Sequence, residues 1–171
     1  MMKEKLVLIG NGMAGVRTLE ELLKLAPEQY DITVFGGEPY GNYNRILLSP
    51  VLAGEKTIDE IMLNDEQWYA DRDITLHKGK WVEDVNRAQR TVRASDGTEA
   101  PYDRLIIATG SNPFIIPIPG NELDGVISFR DISDVDAMLA SSRKAGGRAV
   151  VIGGGLLGLE AANGLMKQGM D

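Results

Sequence analysis

The sequence predicts an α/β fold, a parallel sheet doubly wound by helices, from three observations. Residues 5–24, KLVLIGNGMAGVRTLEELLK, and residues 148–167, RAVVIGGGLLGLEAANGLMK, share one design: an apolar run, three spaced glycines, then helical apolar spacing. The runs Leu6–Ile9 and Ala149–Ile152 are continuous rather than alternating, as suits parallel strands covered on both faces. Two further segments that read as strands, Ile32–Phe35 and Leu105–Ala108, lie between the copies.

The bulk numbers bound the answer. A length of 171 residues suggests one domain and the beginning of a second. Apolar residues make up 43% and charged residues 25%, the balance of an ordinary globular protein. No apolar run approaches the ~20 residues that span a bilayer, so no membrane partner is expected. The opening MMKEKLVLIG has two lysines and an apolar stretch, but it runs into glycines without a small-residue cleavage site. It does not read as a signal peptide, and the expected address is the cytoplasm. There are no cysteines, which excludes disulfides, thiolate metal sites and redox-active thiol pairs within these residues. A net charge of −7 argues against a nucleic-acid surface.

The glycine triplets, Gly10, Gly12, Gly15 and Gly153, Gly155, Gly158, carry the chemistry. In a strand–GxGxxG–helix unit the first glycine permits the tight turn. The second leaves no side chain where a pyrophosphate nears the backbone, and the third lets helix and strand pack closely. The anion then sits at the helix N-terminus, where free N–H groups and the macrodipole favour negative charge. Two such motifs in one chain suggest two dinucleotides, and FAD with a nicotinamide cofactor is the pair between which hydride passes.

The remaining elements follow in order. Pro27 and Tyr30-Asp31 break the first helix before the strand Ile32–Phe35. An acid at the end of that strand would accept hydrogen bonds from the adenosine ribose. Gly36 and Gly37 stand there, so Glu38, the first carboxylate, is the candidate. Residues 57–72 read as one or two short helices, with Asn64 and Gln67 as a capping pair. Ile74–His77, Trp81–Val85 and Thr91–Ala94 read as strands, the last closed by Asp96-Gly97. His77, the single histidine, reads as a strand-end residue rather than a ligand. PFIIPIPG, residues 113–120, reads as an extended connector. A helix is expected from Ser133 as N-cap with Asp136 three positions on, stopped at Gly146-Gly147. The second glycine unit closes the chain. The residue that separates NAD from NADP lies ~20 residues past the glycines, so the 171 residues are expected to be part of a longer protein.

With IGNGMAG, YNRILLSP, LIIATGS, FRDISD and VIGGGLLGLEAA in this order, the sequence resembles the two-dinucleotide flavoprotein family of rubredoxin, ferredoxin and glutathione reductases. GNGMAG, ITVF followed by EP, YNRILLS and GGGLLGLEAA resemble most its NAD(P)H-dependent nitrite reductase branch, in the N-terminal region of the large subunit. The resemblance implies a doubly wound, Rossmann-like FAD-binding domain over residues 1–112 with a small antiparallel β insertion. It also implies the connector 113–120 and the truncated start of an NAD(P)H-binding domain over 121–171.

By the same resemblance Gly10, Gly12, Ala14 and Gly15 surround the FAD pyrophosphate. Arg45 and Ser49 lie along the flavin side, and the backbone of Val82 meets the adenine. Ala108, Thr109 and Gly110 lie beneath the cofactor, and Arg130 contacts it. Gly153, Gly155, Gly158 and Glu160 match the nicotinamide motif. Gly36 departs from the family's strand-end acid. Disulfide reductases of the family place catalytic cysteines in this region, and YNRILLSP has none, so electrons are expected to pass to a metal centre or protein partner. The nitrite reductase branch implies an iron–sulfur cluster and siroheme beyond these residues, with nitrite reduced to ammonia. A rubredoxin- or ferredoxin-reductase type of flavoprotein and a non-catalytic nucleotide-binding module are the alternatives. Residues 1–171 alone are expected to be catalytically silent, and a homodimer through residues 148–168 is a possible assembly.

Overall fold

The computed structural model describes residues 3–144 and 147–171. The chain forms two compact units, one comprising the residues up to Tyr43 with Met62–Gly110, the other Asn44–Ile61 with Ser111–Asp171.

In the first unit, β1 (Glu4–Ile9) leads through the first glycine loop into α1 (Met13–Leu25), and β2 (Tyr30–Gly36) returns alongside β1. The short β3 (Asn42–Tyr43) pairs antiparallel with β4 (Met62–Asn64), and α4 (Glu66–Ala70) leads into β5 (Thr75–Lys78). β6 (Val82–Asn86), β7 (Thr91–Ala94) and β8 (Glu99–Pro101) form an antiparallel sheet before β9 (Arg104–Ile107). The parallel sheet runs β5-β2-β1-β9. The fold is thus the expected α/β class, Rossmann-like with a small antiparallel insertion.

β1 shows why its run is continuous. Leu6 and Leu8 face one side and pack with Leu19 of α1, Ile32, Val34, Tyr69 and Ile74. Val7 and Ile9 face the other and pack with Phe35, Val92, Ala94 and Ala100. A helix layer covers one face of the sheet and the antiparallel sheet covers the second. The period of two along a strand sends successive residues to opposite faces, so both sets must be apolar.

The second unit holds a 3₁₀ turn (Arg45–Leu47), α2 (Leu48–Leu52), α3 (Ile58–Ile61), α5 (Ile132–Ser142) and α6 (Leu156–Lys167). Gly164 of α6 lies against Leu52, since a Cβ at this position would come 2.7 Å from the leucine Cγ. Gln168 Nε2 donates to the Leu52 carbonyl at 2.8 Å, and Lys167 pairs with Glu55.

Three local expectations are corrected. Asp131, not Ser133, caps α5: its side chain accepts from the Asp134 N–H at 3.0 Å, and the Asp134 carboxylate accepts from the Asp131 N–H at 3.3 Å. A carboxylate at the cap with an acid three residues on satisfies two donors reciprocally, which Ser133 cannot match. The helix after residue 64 is capped by Asp65, which accepts from the Trp68 N–H at 2.9 Å, because Asn64 is held in β4. Residues 149–152 form no strand. Among its described residues the second unit has none, and an apolar run needs a neighbouring strand to take its backbone hydrogen bonds. Val150 is accordingly 89% exposed. Gly146, expected to help stop α5, lies outside the described residues.

Candidate functional site

The first glycine loop is locked from three sides. Gly10 has φ +110°, a conformation that L side chains rarely adopt, and its N–H donates to the Phe35 carbonyl at 2.8 Å. A Cβ on Gly10 would collide with the Ala108 carbonyl oxygen and reach 3.0 Å from the Thr109 nitrogen. A Cβ on Gly15 would stand 2.6 Å from the Gly10 carbonyl and 3.2 Å from the Ala108 Cβ. The structure therefore brings Gly10, Gly15, Ala108 and Thr109 into one cluster. Gly110 follows with φ +77°.

Gly12 differs from both neighbours in the motif. It is the N-cap of α1 with extended backbone, φ −82° and ψ 176°, and no side chain caps the helix. The first turn contains no acid, and a Cβ on Gly12 would meet nothing within 4 Å. Unpartnered N–H groups beside vacant space at a helix N-terminus form a cradle that fits a diphosphate. Ala14 is exposed on this first turn, and its carbonyl accepts from the Thr18 hydroxyl at 2.8 Å.

At the end of β2 the missing acid has a steric cause. A Cβ on Gly36 would come 2.8 Å from the Cβ of Asn11, which occupies that space. Glu38 lies two residues on. The Tyr43 hydroxyl donates to its Oε2 at 2.6 Å, and the Gly79 N–H donates to its carbonyl at 3.0 Å. Val82 begins β6, in register with Ala94.

Asn11, Asn42 and Tyr69, which no sequence pattern marks, build the wall of this loop. The Tyr69 hydroxyl donates to Asn11 Oδ1 at 2.7 Å, and Asn42 Nδ2 donates to the Asn11 carbonyl at 3.0 Å. The only signal in the sequence is that Asn11 stands between the first two glycines of the motif. Burial pushes the Tyr69 phenol up to about 12, against lowering by its hydrogen bond to Asn11. The folded-state value exceeds the unfolded one near 10, so this contribution is intact below pH 10 and lost as pH rises towards 12. Urea midpoints followed from pH 8 to 11.5 are expected to fall more steeply in wild type than in Tyr69→Phe. Parallel curves would show that Tyr69 does not set the alkaline limb.

The second unit groups the other candidates in pairs. Arg45 Nη1 donates to the Arg130 carbonyl at 2.6 Å, and Arg130 Nη2 donates to the Ser111 hydroxyl at 3.1 Å. The Ser49 hydroxyl donates to Glu160 Oε2 at 2.5 Å. The second glycine loop repeats the first at its helix start: Gly155 caps α6 with φ −80° and ψ 177°, again without a side-chain cap. A Cβ on Gly155 would also meet nothing within 4 Å, and one on Gly158 would collide with the Gly153 carbonyl. Gly153 has φ +130°.

His77 stacks on Phe35 with ring centroids 4.8 Å apart, and burial, then Lys80, pushes its pKa below the ordinary histidine value. Among the described residues no group of three or more His, Cys, Asp or Glu side chains could hold a metal ion, and no helix is long and apolar enough to cross a membrane.

Comparison with known proteins matches residues 4–171 to the family described as pyridine nucleotide-disulphide oxidoreductase. The chain is 54% identical over its whole length to the nitrite reductase [NAD(P)H] of Bacillus subtilis (strain 168), covering 21% of that protein. It is 50% identical to the assimilatory nitrate reductase electron transfer subunit of the same strain, covering all of this chain and 22% of that protein. Among solved structures, NADH:rubredoxin oxidoreductase from Clostridium acetobutylicum superposes with a TM-score of 0.85 at 28% identity, covering 99% of this chain and 43% of that one. The chain thus spans about a fifth of the length of the curated relatives it matches.

Proposed function

Because the chain belongs to the pyridine nucleotide-disulphide oxidoreductase family, we propose that it holds FAD at the first glycine loop and serves an NAD(P)H-dependent reductase of the nitrite reductase kind. The observation that carries this reading is the uncapped N-terminus of α1 beside the vacant side-chain position of Gly12.

In this reading Gly10, Gly12, Ala14 and Gly15 receive the diphosphate. Glu38, oriented by the Tyr43 hydroxyl at 2.6 Å, accepts from the ribose hydroxyls, and Val82 borders the adenine. Ala108, Thr109 and Gly110 close the loop from below. Arg45, Ser49 and Arg130 serve the flavin side. Gly153, Gly155, Gly158 and Glu160 receive the nicotinamide dinucleotide, with residues 1–112 forming the FAD part, 113–120 the connector and 121–171 the start of the second part. When bound, the flavin accepts hydride from NAD(P)H and releases electrons one at a time. These residues contain no cysteine to receive them, so the acceptor is a protein partner or a metal centre elsewhere in a longer protein. The 54% identity to a nitrite reductase favours an iron–sulfur and siroheme acceptor, with nitrite as the final substrate.

Calorimetry with ADP and FAD tests the reading, with saturable binding of both expected. An isolated chain that bound neither would end it.

A second measurement concerns assembly. Val150, Ile152, Leu156, Leu159 and Met166 expose 63–89% of their surface, and contiguous exposed apolar surface favours association. Light scattering is expected to show mass rising with concentration through residues 148–168. A strict monomer at every concentration would rule out this homodimer.

A further inference from the structure

We propose that Trp81 is the aromatic platform on which the adenine base of the dinucleotide stacks, a role that rests on the FAD reading above. The diphosphate cradle lies past the end of β1, and Glu38 lies past the end of β2, the next strand. In a doubly wound sheet the nucleotide crosses the carboxyl ends of the strands, with its ribose at the acid after the second strand. Continued in the same direction, the base reaches the end of β5, the strand beside β2. Trp81 stands there, three residues past Lys78.

The turn that carries Trp81 is fastened to the ribose side by backbone. The Gly79 N–H donates to the Glu38 carbonyl at 3.0 Å, and the Lys80 N–H donates to the Gly36 carbonyl at 2.8 Å. The Trp81 carbonyl accepts from the Ser95 N–H at 2.8 Å, and Lys80 pairs with Asp96. The backbone that carries the indole is therefore held beside Glu38.

The ring itself is placed for stacking. A Cβ on Gly37 would lie 2.5–2.6 Å from Cδ2, Cε2 and Cζ2, so the indole lies across the bare backbone of that glycine. No other residue type at position 37 leaves room for the ring. Yet Trp81 remains 59% exposed. A large apolar ring seated on a glycine and left open to solvent is poorly explained by packing alone. It is well suited to receive the flat, apolar face of a base.

The test uses the whole chain, ADP as probe, and the variants Trp81→Ala, Trp81→Phe and Gly12→Val. Urea unfolding first confirms that each variant is folded. Base–aromatic stacking leads us to expect about a tenfold loss of ADP affinity in Trp81→Ala, with most of it restored in Trp81→Phe. The chain has two tryptophans, so Trp81→Phe leaves Trp68 as the sole indole. ADP should quench wild-type emission and leave Trp81→Phe emission unchanged, a readout that a merely structural role would not produce. Unchanged ADP affinity in Trp81→Ala while Gly12→Val loses binding would overturn the platform and leave the FAD reading intact. Equal losses in both Trp81 variants with no wild-type quenching would also overturn it. If wild type binds no ADP at all, the FAD reading falls and the platform falls with it.

Discussion

Gly12→Val is expected to abolish dinucleotide binding while leaving the protein folded. The backbone at this position is extended, which valine adopts readily, and a Cβ would meet no protein atom within 4 Å. The cost to the fold is that of a poorer N-cap, about 1 kcal/mol. The cost to binding is much larger. The valine methyls would occupy the space in which a diphosphate accepts from the first N–H groups of α1. Hydrogen bonds to charged groups contribute about 1.5–3 kcal/mol each, so losing two weakens binding by about a hundredfold or more. Calorimetry with ADP on both proteins, beside matched urea curves, checks both halves. Equal affinities would remove the diphosphate from this loop. A collapsed urea midpoint would show instead that Gly12 is structural.

Gly10→Ala should do the opposite and destroy stability. Its φ of +110° strains any residue with a Cβ, at about 1–3 kcal/mol. The added methyl would also strike the Ala108 carbonyl oxygen, a backbone atom of β9's continuation that no rotamer change can move. Forced overpacking adds about 1–3 kcal/mol. Together these approach the whole stability of a marginal domain, about 5–15 kcal/mol. Gly153→Ala provides the comparison, because Gly153 has φ +130° but no atom within 4 Å of its Cβ position. It should show the strain without the collision. Denaturant midpoints that fell equally in the two variants would refute the role given to Ala108.

The expected elements that depend on local pattern appear where the sequence puts them. β1, β2, α1, β7 and α6 follow from apolar runs, helical spacing and glycine punctuation, whose causes lie within a few residues. The two glycine loops likewise adopt nearly the same backbone at Gly12 and Gly155, because strand end, turn and helix start constrain it locally. The lone carboxylate after β2 could also be read in the sequence, although its Tyr43 partner could not.

Tertiary structure decided the rest. That Gly36 replaces an acid because Asn11 fills its space is a contact across 25 positions, invisible to any window of neighbouring residues. The 111-residue separation of Ser49 and Glu160, and the clustering of residues 44–61 with 111–171, have the same origin. Residues 149–152 show the converse. Their apolar run has the composition of a buried strand, but among the described residues of the second unit no strand lies beside it to take its backbone hydrogen bonds. A helix closes its hydrogen bonds within its own segment, so α6 forms beside a strand that does not. A strand closes them only with another segment, and which segment is available is a property of the folded molecule.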